Sequence, residues 1–398
     1  MLVRKKPYSI REEVPIVEHK GIFKRQLSFF QTIALIVSGT VGAGILGIPY
    51  AVSKVGVGVG MIYIVCVGSL MIGLNLMVGE IVVRTREKLH LVGLARKYLG
   101  WFGEVLMTIF VYLTLLGVLV VFTIGEGEVL AELFGGSNFM WSIVFFVIAN
   151  FLIIVGFNTV KTVEFFLSLG ILVIIIIMAF YSAPHIDFNN ATYHNLAYLF
   201  FPYGVILFAY SSSAVVVEAH SVLKDRDLSY KKAIIIAGFI VMAIYALFAI
   251  VAVGVTGPET TEVATVGLGR VVGKSMLFFG NIFAIIAMGT TFLIMGTALK
   301  DSLTWDYKLP KYVSLSIVIF VPFIVFLFGV RHFIQAVDIV GGVFMSIAML
   351  LQVLIYWRAK QLGHLKKSRY KLHHTFLLIA LLMLALSAGA IYSVVKLF

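Results

Sequence analysis

Ser38-Gly39-Thr40-Val41-Gly42-Ala43-Gly44-Ile45-Leu46-Gly47-Ile48-Pro49 sits inside the first membrane-length apolar run, and its four glycines and one proline interrupt what would otherwise be a continuous helix. Lipid offers no partner to a bare N–H or C=O. An unwound stretch at membrane depth therefore persists only where protein buries it or a polar cavity receives it. Breaks of this kind mark solute sites near the bilayer midplane.

The surrounding chain supports a membrane setting. Its 398 residues are 61% hydrophobic and 13% charged, against about 25% charged in an ordinary soluble domain. Apolar runs fill the chain and leave no room for a soluble domain. At about 20 residues per crossing, they predict an all-α integral membrane protein of eleven helices: 27–53, 58–83, 105–130, 139–156, 162–183, 196–222, 233–257, 275–299, 312–329, 333–356 and 372–395. Residues 89–99 are too few and too basic to span, and read as an interfacial helix. The tail 1–26 is charged and has neither an apolar core nor a small-residue cleavage site, so the first crossing serves as the targeting signal. Cys66 is the single cysteine. It excludes an intrachain disulfide and reads as a small buried hydrophobe.

Basic residues favour cytoplasmic loops. With the N-terminus inside, the inner segments hold 26 of the 31 Lys and Arg residues, and the outer segments hold Lys54, Arg270, Lys274, Arg331 and Lys396. This asymmetry predicts a multi-pass protein of the cell membrane with a cytoplasmic N-terminus and an extracytoplasmic C-terminus. The net charge of +12 then points to inner-leaflet lipid and not to nucleic acid.

Five crossings after the glycine break, helix six carries Phe208-Ala209-Tyr210-Ser211-Ser212-Ser213 in an otherwise apolar run. Consecutive serines bond to their own backbone and compete with helix, and Pro202-Tyr203-Gly204 adds a second weak point. Because five is odd, helices one and six cross in opposite directions. That is the arrangement of a 5+5 inverted repeat, here 27–183 and 196–356, followed by an eleventh helix at 372–395. Paired interruptions in matching positions of two halves point to a transporter site. Close packing of small residues is the competing explanation for either break alone.

Val37-Ser38-Gly39-Thr40-Val41-Gly42-Ala43-Gly44-Ile45-Leu46 resembles the opening signature of the amino acid-polyamine-organocation superfamily. Phe208-Ala209-Tyr210, Thr290-Thr291-Phe292-Leu293 with Lys300-Asp301, and Gly257 with Thr260-Thr261-Glu262-Val263-Ala264-Thr265 look most like its amino acid/auxin permease branch, including prokaryotic hydroxy- and aromatic amino acid permeases. The resemblance spans the whole chain and implies a leucine-transporter-like fold with broken helices 1 and 6. Relatives usually carry glycine where Ser211 to Ser213 stand.

A zwitterionic amino acid needs anion-binding donors and cation-binding acceptors a few ångströms apart, and unwound helices present both. The N–H groups of Ala43, Gly44 and Ile45 open a half-helix whose positive end suits a carboxylate. Freed carbonyls at Thr40, Phe208 and Ser211 suit the ammonium, with Ser212 beside them. Phe208 would act as an aromatic lid, and Tyr112 would reach in from helix three. Ala287, Thr290 and Thr291 share one face of helix eight. With the carbonyls of Ser38 and Val41 they form a five-oxygen set that looks like the sodium site of sodium-coupled members of the leucine-transporter fold. Back-bonding of the threonines to their own helix is the plain alternative. Some proton-linked relatives use a lysine on helix five instead. Here 163–183 has no basic residue, and Lys161 lies outside it.

Ionisable groups at membrane depth are functional candidates by default. Glu126 and Glu128 read as interfacial, at the outer end of helix three. Glu218 and His220 lie toward the cytoplasmic mouth, where either would gate the exit or carry a proton. Asp338 is expected to pair with Arg331 or Lys54 and close the outer side. No P-loop, Gly-x-Ser-x-Gly or His-Glu-x-x-His occurs, so the chain reads as neither an enzyme nor an ATP-driven pump. The expectation is a secondary active transporter of a neutral amino acid, aromatic or hydroxylated, coupled to sodium or else to a proton. It requires no cofactor and no obligate protein partner. A membrane amino acid sensor without net flux is the alternative from a different class.

Overall fold

A computed structural model of the chain describes residues 29–85, 89–155, 170, 173–222, 227–305, 307–329, 331–363, 365 and 368–396. The tail 1–26, Lys161 and the first part of the expected fifth crossing lie outside them. Within the described residues all regular structure is helical. Seven helices are individually long and apolar enough to cross a membrane, or eight when a pair bent by 49° is taken as one crossing. Three shorter apolar helices, Val173–His185, Pro202–Val217 and Lys311–Leu327, fall on the remaining expected crossings.

The bent pair is the first crossing: α1 (Phe29–Thr40), a 3-10 turn (Ala43–Gly47) and α2 (Ile48–Val55). Next come α3 (Val57–Arg84), α4 (Leu91–Phe134), α5 (Asn138–Val155), α6 (Val173–His185) and a short α7 (Asn189–Thr192). The sixth crossing is split into α8 (Pro202–Ala209) and α9 (Ser213–Val222). After α10 (Asp227–Thr256), α11 (Ala264–Val272), α12 (Lys274–Trp305) and α13 (Lys311–Leu327), the tenth crossing runs through α14 (Phe333–Ile339), a π-helical turn (Val340–Met345) and α15 (Ser346–Leu362). The eleventh is α16 (Phe376–Val395).

Two expected boundaries move for clear reasons. Pro202 occupies the first turn of α8, where its missing N–H costs nothing, so it starts the helix and does not weaken it. The interfacial segment and the third crossing are one element of 44 residues, jointed at Gly100 with φ 75° and ψ −165°. That left-handed joint suits glycine. It turns the amphipathic piece into a crossing whose first residues, Trp101 and Phe102, are exposed, as aromatic residues at a membrane interface are. Cys66 lies on an exposed face of α3 and is not buried; an apolar side chain in a bilayer needs no protein cover.

α10 lies against α1 and α3, α4 packs on α5 and α12, and α8 sits on the π-helical turn. The interruptions are thereby enclosed by continuous helices. Away from them, buried Glu80 of α3 is a staple. It accepts hydrogen bonds from Arg84, from Lys360 at 2.8 Å, from the Tyr356 hydroxyl at 2.9 Å and from the Leu372 N–H at 3.1 Å. One carboxylate thus joins α3, α15 and the approach to α16. Removing one partner of a buried ion pair leaves the other charges uncompensated. Glu80→Ala is therefore expected to destabilise by about 3 kcal/mol, read as a lower thermal midpoint in detergent, whereas an unchanged midpoint would show the cluster to be dispensable.

Candidate functional site

The first break begins where α1 ends. Val41 N–H still bonds to Val37 O at 2.8 Å, but Gly42 N–H turns back to Thr40 O at 2.9 Å, and Gly42 is extended at φ −103°, ψ −154°. Ile45 N–H reaches Gly42 O at 3.4 Å to start the 3-10 turn. The Ala43 and Gly44 N–H groups are left at the start of the turn, without a bond inside it. In the second break, Ser211 N–H takes Phe208 O at 3.2 Å, and Ser212 O receives Val216 N–H at 3.0 Å.

One side chain joins the two breaks. The Tyr245 hydroxyl of α10 lies 2.9 Å from Thr40 O and 2.8 Å from Ala209 O, so a single O–H serves the carbonyl ends of α1 and α8. Its ring packs on Tyr210 at 4.9 Å, and Tyr210 donates to Ile64 O at 3.1 Å. Asn75 of α3 completes the frame. It donates to Ser212 Oγ at 2.8 Å and accepts from Ser213 Oγ at 3.3 Å. The expected free carbonyls at Thr40 and Phe208 are therefore engaged, and Ala209 O, which was not expected, belongs to the same set. Tyr245 was missed from the sequence although a signal existed: no other side chain from 233 to 255 has a polar atom, and a lone polar group in a membrane run is there to bond to a neighbour.

The breaks also touch directly. A Cβ on Gly44 would lie 2.8 Å from Ala209 Cα and 3.2 Å from the Phe208 ring. Phe208 meets Phe122 of α4 edge-on at 6.4 Å, and Gly47 faces Phe333 and Ile334. All residues from Ala43 to Pro49 and from Pro202 to Tyr210 are buried. On the other side of the breaks Ser38, Gly42 and Ser211 are half-buried, and Gly39 and Ala214 are exposed. The first side is sealed throughout; on the second, Gly39 abuts Val215, and only single faces of α1 and α9 are exposed.

Thr291 lies opposite Gly42, its Oγ1 3.9 Å from where a Cβ on that glycine would stand. Of the expected cation ligands, Thr291 is thereby brought beside the residue that follows Val41. Thr291 donates to Ala287 O at 2.7 Å, and Thr290 donates to Ile286 O at 2.6 Å with Ala287 O at 3.3 Å. The threonines thus bond back to their own helix, and Ser38 Oγ likewise donates to Leu35 O.

Other expectations need correction. Tyr112 does not reach the breaks: its hydroxyl bonds Ser302 Oγ at 2.7 Å, about 15 Å along α4 from Phe122 at 1.5 Å per residue. Depth was misjudged because α4 beyond Gly100 rises about 50 Å, well beyond a hydrocarbon core of about 30 Å. Asp338 pairs with Lys396 at 2.6 Å, while Arg331 stacks over Phe139 and Lys54 over Tyr50. The tertiary path of α16 brings the chain end to Asp338. Glu126, expected at an interface, is fully buried inside the protein. The side chains of Glu218 and His220 lie outside the described residues.

A family model described as the tryptophan/tyrosine permease family matches residues 25–393. The tyrosine-specific transport system 1 of Haemophilus influenzae is 24% identical over 349 residues, covering 82% of this chain and 87% of that protein. In structure the chain is similar to MhsT in complex with L-phenylalanine, with a TM-score of 0.65 at 14% identity, covering 94% of this chain and 100% of that one. It is also similar to Mhp1 in an inward-facing conformation, with a TM-score of 0.63 at 12% identity, covering 92% and 89% respectively. These likenesses establish a leucine-transporter-like fold.

Two substitutions probe the junction. Tyr245→Phe takes a donor from the Ala209 carbonyl and leaves Thr40 O with the Gly42 N–H alone, at an expected cost of about 1–3 kcal/mol. Gly44→Ala drives a methyl into the Ala209 backbone, at an expected cost of about 1–3 kcal/mol from overpacking. Thermal unfolding in detergent measures both, and wild-type midpoints would show that the two breaks do not depend on each other.

Proposed function

The chain belongs to the tryptophan/tyrosine permease family, and from that premise we propose that it is a secondary transporter of a neutral, aromatic amino acid that works by alternating access. It is a multi-pass membrane protein and an amino acid transporter, not an enzyme. The observation that carries the finer reading is the meeting of the two breaks, where carbonyl ends of α1 and α8 converge within reach of one hydroxyl and the Ala43 and Gly44 N–H groups open the adjoining turn. Helix C-termini carry partial negative charge and helix N-termini partial positive charge. An ammonium therefore belongs between Thr40 and Ala209, with Ser211 and Ser212 alongside, and a carboxylate belongs at Ala43, Gly44 and Ile45. Phe208 and Phe122 supply an aromatic wall for a ring. The names of the relatives agree with an aromatic side chain: one is called tyrosine-specific and another was solved with L-phenylalanine.

The sealed side corresponds to the outside if the N-terminus is cytoplasmic, as the lysine and arginine asymmetry suggests. Alternating access then means separating α2 and α8 from α14 while closing the Gly39 to Ala214 side, with Asp338 and Lys396 as the outer clasp and Glu218 at the inner mouth. For the driving ion we retain sodium, held between Gly42 and α12 by the carbonyls of Ser38, Val41 and Ala287 and the hydroxyls of Thr290 and Thr291. A proton is the second reading. The observation in its favour is that Ala287 O, one of the five oxygens, already accepts from both threonine hydroxyls.

A thermal-shift screen of the purified protein tests substrate and ion together. At a ligand concentration of about 100 times Kd the expected stabilisation is about 2.7 kcal/mol, confined to tyrosine, tryptophan and phenylalanine. Shifts of equal size in sodium and potassium would remove the sodium site. Labelled tyrosine should exchange by saturable counterflow into proteoliposomes; binding without flux would leave a sensor. Phe208→Ala is expected to weaken aromatic ligands about tenfold, and unchanged affinity would place the ring elsewhere.

A further inference from the structure

Glu126 is 0% exposed, and neither carboxylate oxygen has a side-chain partner or a well-aligned hydrogen bond among the described residues; the one polar group close to it is the Gly289 main chain. No other Glu or Asp among them is left with both oxygens buried and unpaired: Glu80 has four partners, and Asp338 has Lys396. The room it occupies is made by Gly289 of α12, where a Cβ would stand 3.3 Å from Glu126 Oε1 and 3.8 Å from the Phe145 ring. The carboxyl is thus enclosed at the junction of α4, α5 and α12.

Among the described residues no cation on the elements packed against α4 answers it: on α15, Lys360 is held by Glu80 and Arg358 is exposed beside Gln361. α5 has no charged residue, and α12 has none between Lys274 and Lys300. The only charge on α13 is Lys311 at its start, and the only one on α14 is Asp338, which is held by Lys396. The π-helical turn has none. On α4 itself the nearest are Glu128 and Glu132, the latter paired with Arg270. Glu262 accepts from Ile334 N–H at 3.0 Å and faces the exposed His332 at 3.6 Å, while Arg331 lies over Phe139. An uncompensated carboxylate in such a place is costly, and what satisfies it without another side chain is a small cation.

We propose that Glu126 is a proton-binding site of the transport cycle, loaded and emptied as the two broken crossings change their packing. The inference rests on the transport reading above and is separate from any sodium site beside Thr291. The neighbours of Glu126 give the coupling route. Phe122, one turn earlier on the same face of α4, meets Phe208 of the second break. Gly289, against which Glu126 lies, is two residues from Thr291, which faces Gly42 of the first break. Gly125 abuts Met288 and Phe333, and Phe333 in turn touches Gly47. Movement of α2 or α8 therefore alters the packing around this carboxyl. A proton bound there neutralises a charge that the closed junction does not solvate, and water admitted on opening lets it leave. The protonation is reversible, with water on either side as donor and acceptor.

Proteoliposomes with the membrane potential clamped test this. For wild type, an imposed gradient of about one pH unit should sustain about tenfold accumulation of labelled tyrosine for one coupled proton. Glu126→Gln should lose that accumulation while keeping counterflow at equal pH within about twofold of wild type. Substrate-dependent proton release from the detergent-solubilised protein, followed with an indicator dye, should disappear in the same variant. If Glu126→Gln does not fold, Glu126→Asp decides: a displaced pH profile of accumulation supports the site, and an unchanged one overturns it. Gradient-driven accumulation by Glu126→Gln equal to that of wild type overturns the proposal, as does wild-type exchange indifferent to the pH gradient. Wild type that neither exchanges nor accumulates any amino acid would overturn the transport reading itself.

Discussion

A main-chain carbonyl inside hydrocarbon must be given a donor. The Tyr245 hydroxyl meets that demand at two helix ends at once, and much of the central architecture follows from it. Thr40 and Ala209 are the last helical residues of α1 and α8, so their carbonyls carry the negative ends of two dipoles. Bringing two such ends together is unfavourable without a positive group between them. One O–H placed between Thr40 O and Ala209 O supplies part of it. A neutral hydroxyl is a modest answer, worth about 1 kcal/mol net per hydrogen bond. An ammonium would do better at the same spot. The junction is thus stable enough to persist and still short of positive charge, as a site for a zwitterion should be.

Glycine makes this proximity geometrically possible. Gly44 lies against the Ala209 backbone, and Gly204 and Gly341 allow α8 and the π-helical turn to touch, since a Cβ on Gly204 would collide with Asp338 and one on Gly341 with Phe208. The π-helical turn adds a residue to a helix that would otherwise be regular, and such turns recur where a helix has been reshaped for function. Tyr203 bonds Ser346 at its end, and Ser346 in turn bonds Gly341 O. The sealed side of the breaks is therefore closed by backbone contacts and aromatic rings.

The polar groups away from the breaks divide into satisfied and unsatisfied ones, and the division is informative. Glu80 and Asn75 are tied by several bonds between elements and Asp338 by one, as expected of groups that hold helices together. Glu126 has no such partner. Other buried hydroxyls and amides, Asn281 among them, are also unpaired, but in a bilayer an unpaired carboxyl is the costliest of these because it alone can carry a charge.

By itself the sequence determined the membrane setting, the all-helical fold and the two interrupted crossings. Those are matters of composition, run length and the poor fit of Gly, Pro and consecutive Ser to a helix in lipid. It also carried the family, through Val37 to Leu46. Partners across the fold were decided only by tertiary structure. Tyr245 is 205 residues from Thr40, Tyr112 meets Ser302 and not the breaks, Asp338 meets the chain end, and Glu126 is buried where counting from the helix end put it at an interface. Each error has one source. Depth along a helix and the direction of a side chain depend on tilt and on which neighbour packs where, and a linear pattern of apolar residues specifies neither, because lipid and protein are equally acceptable surroundings for an apolar face.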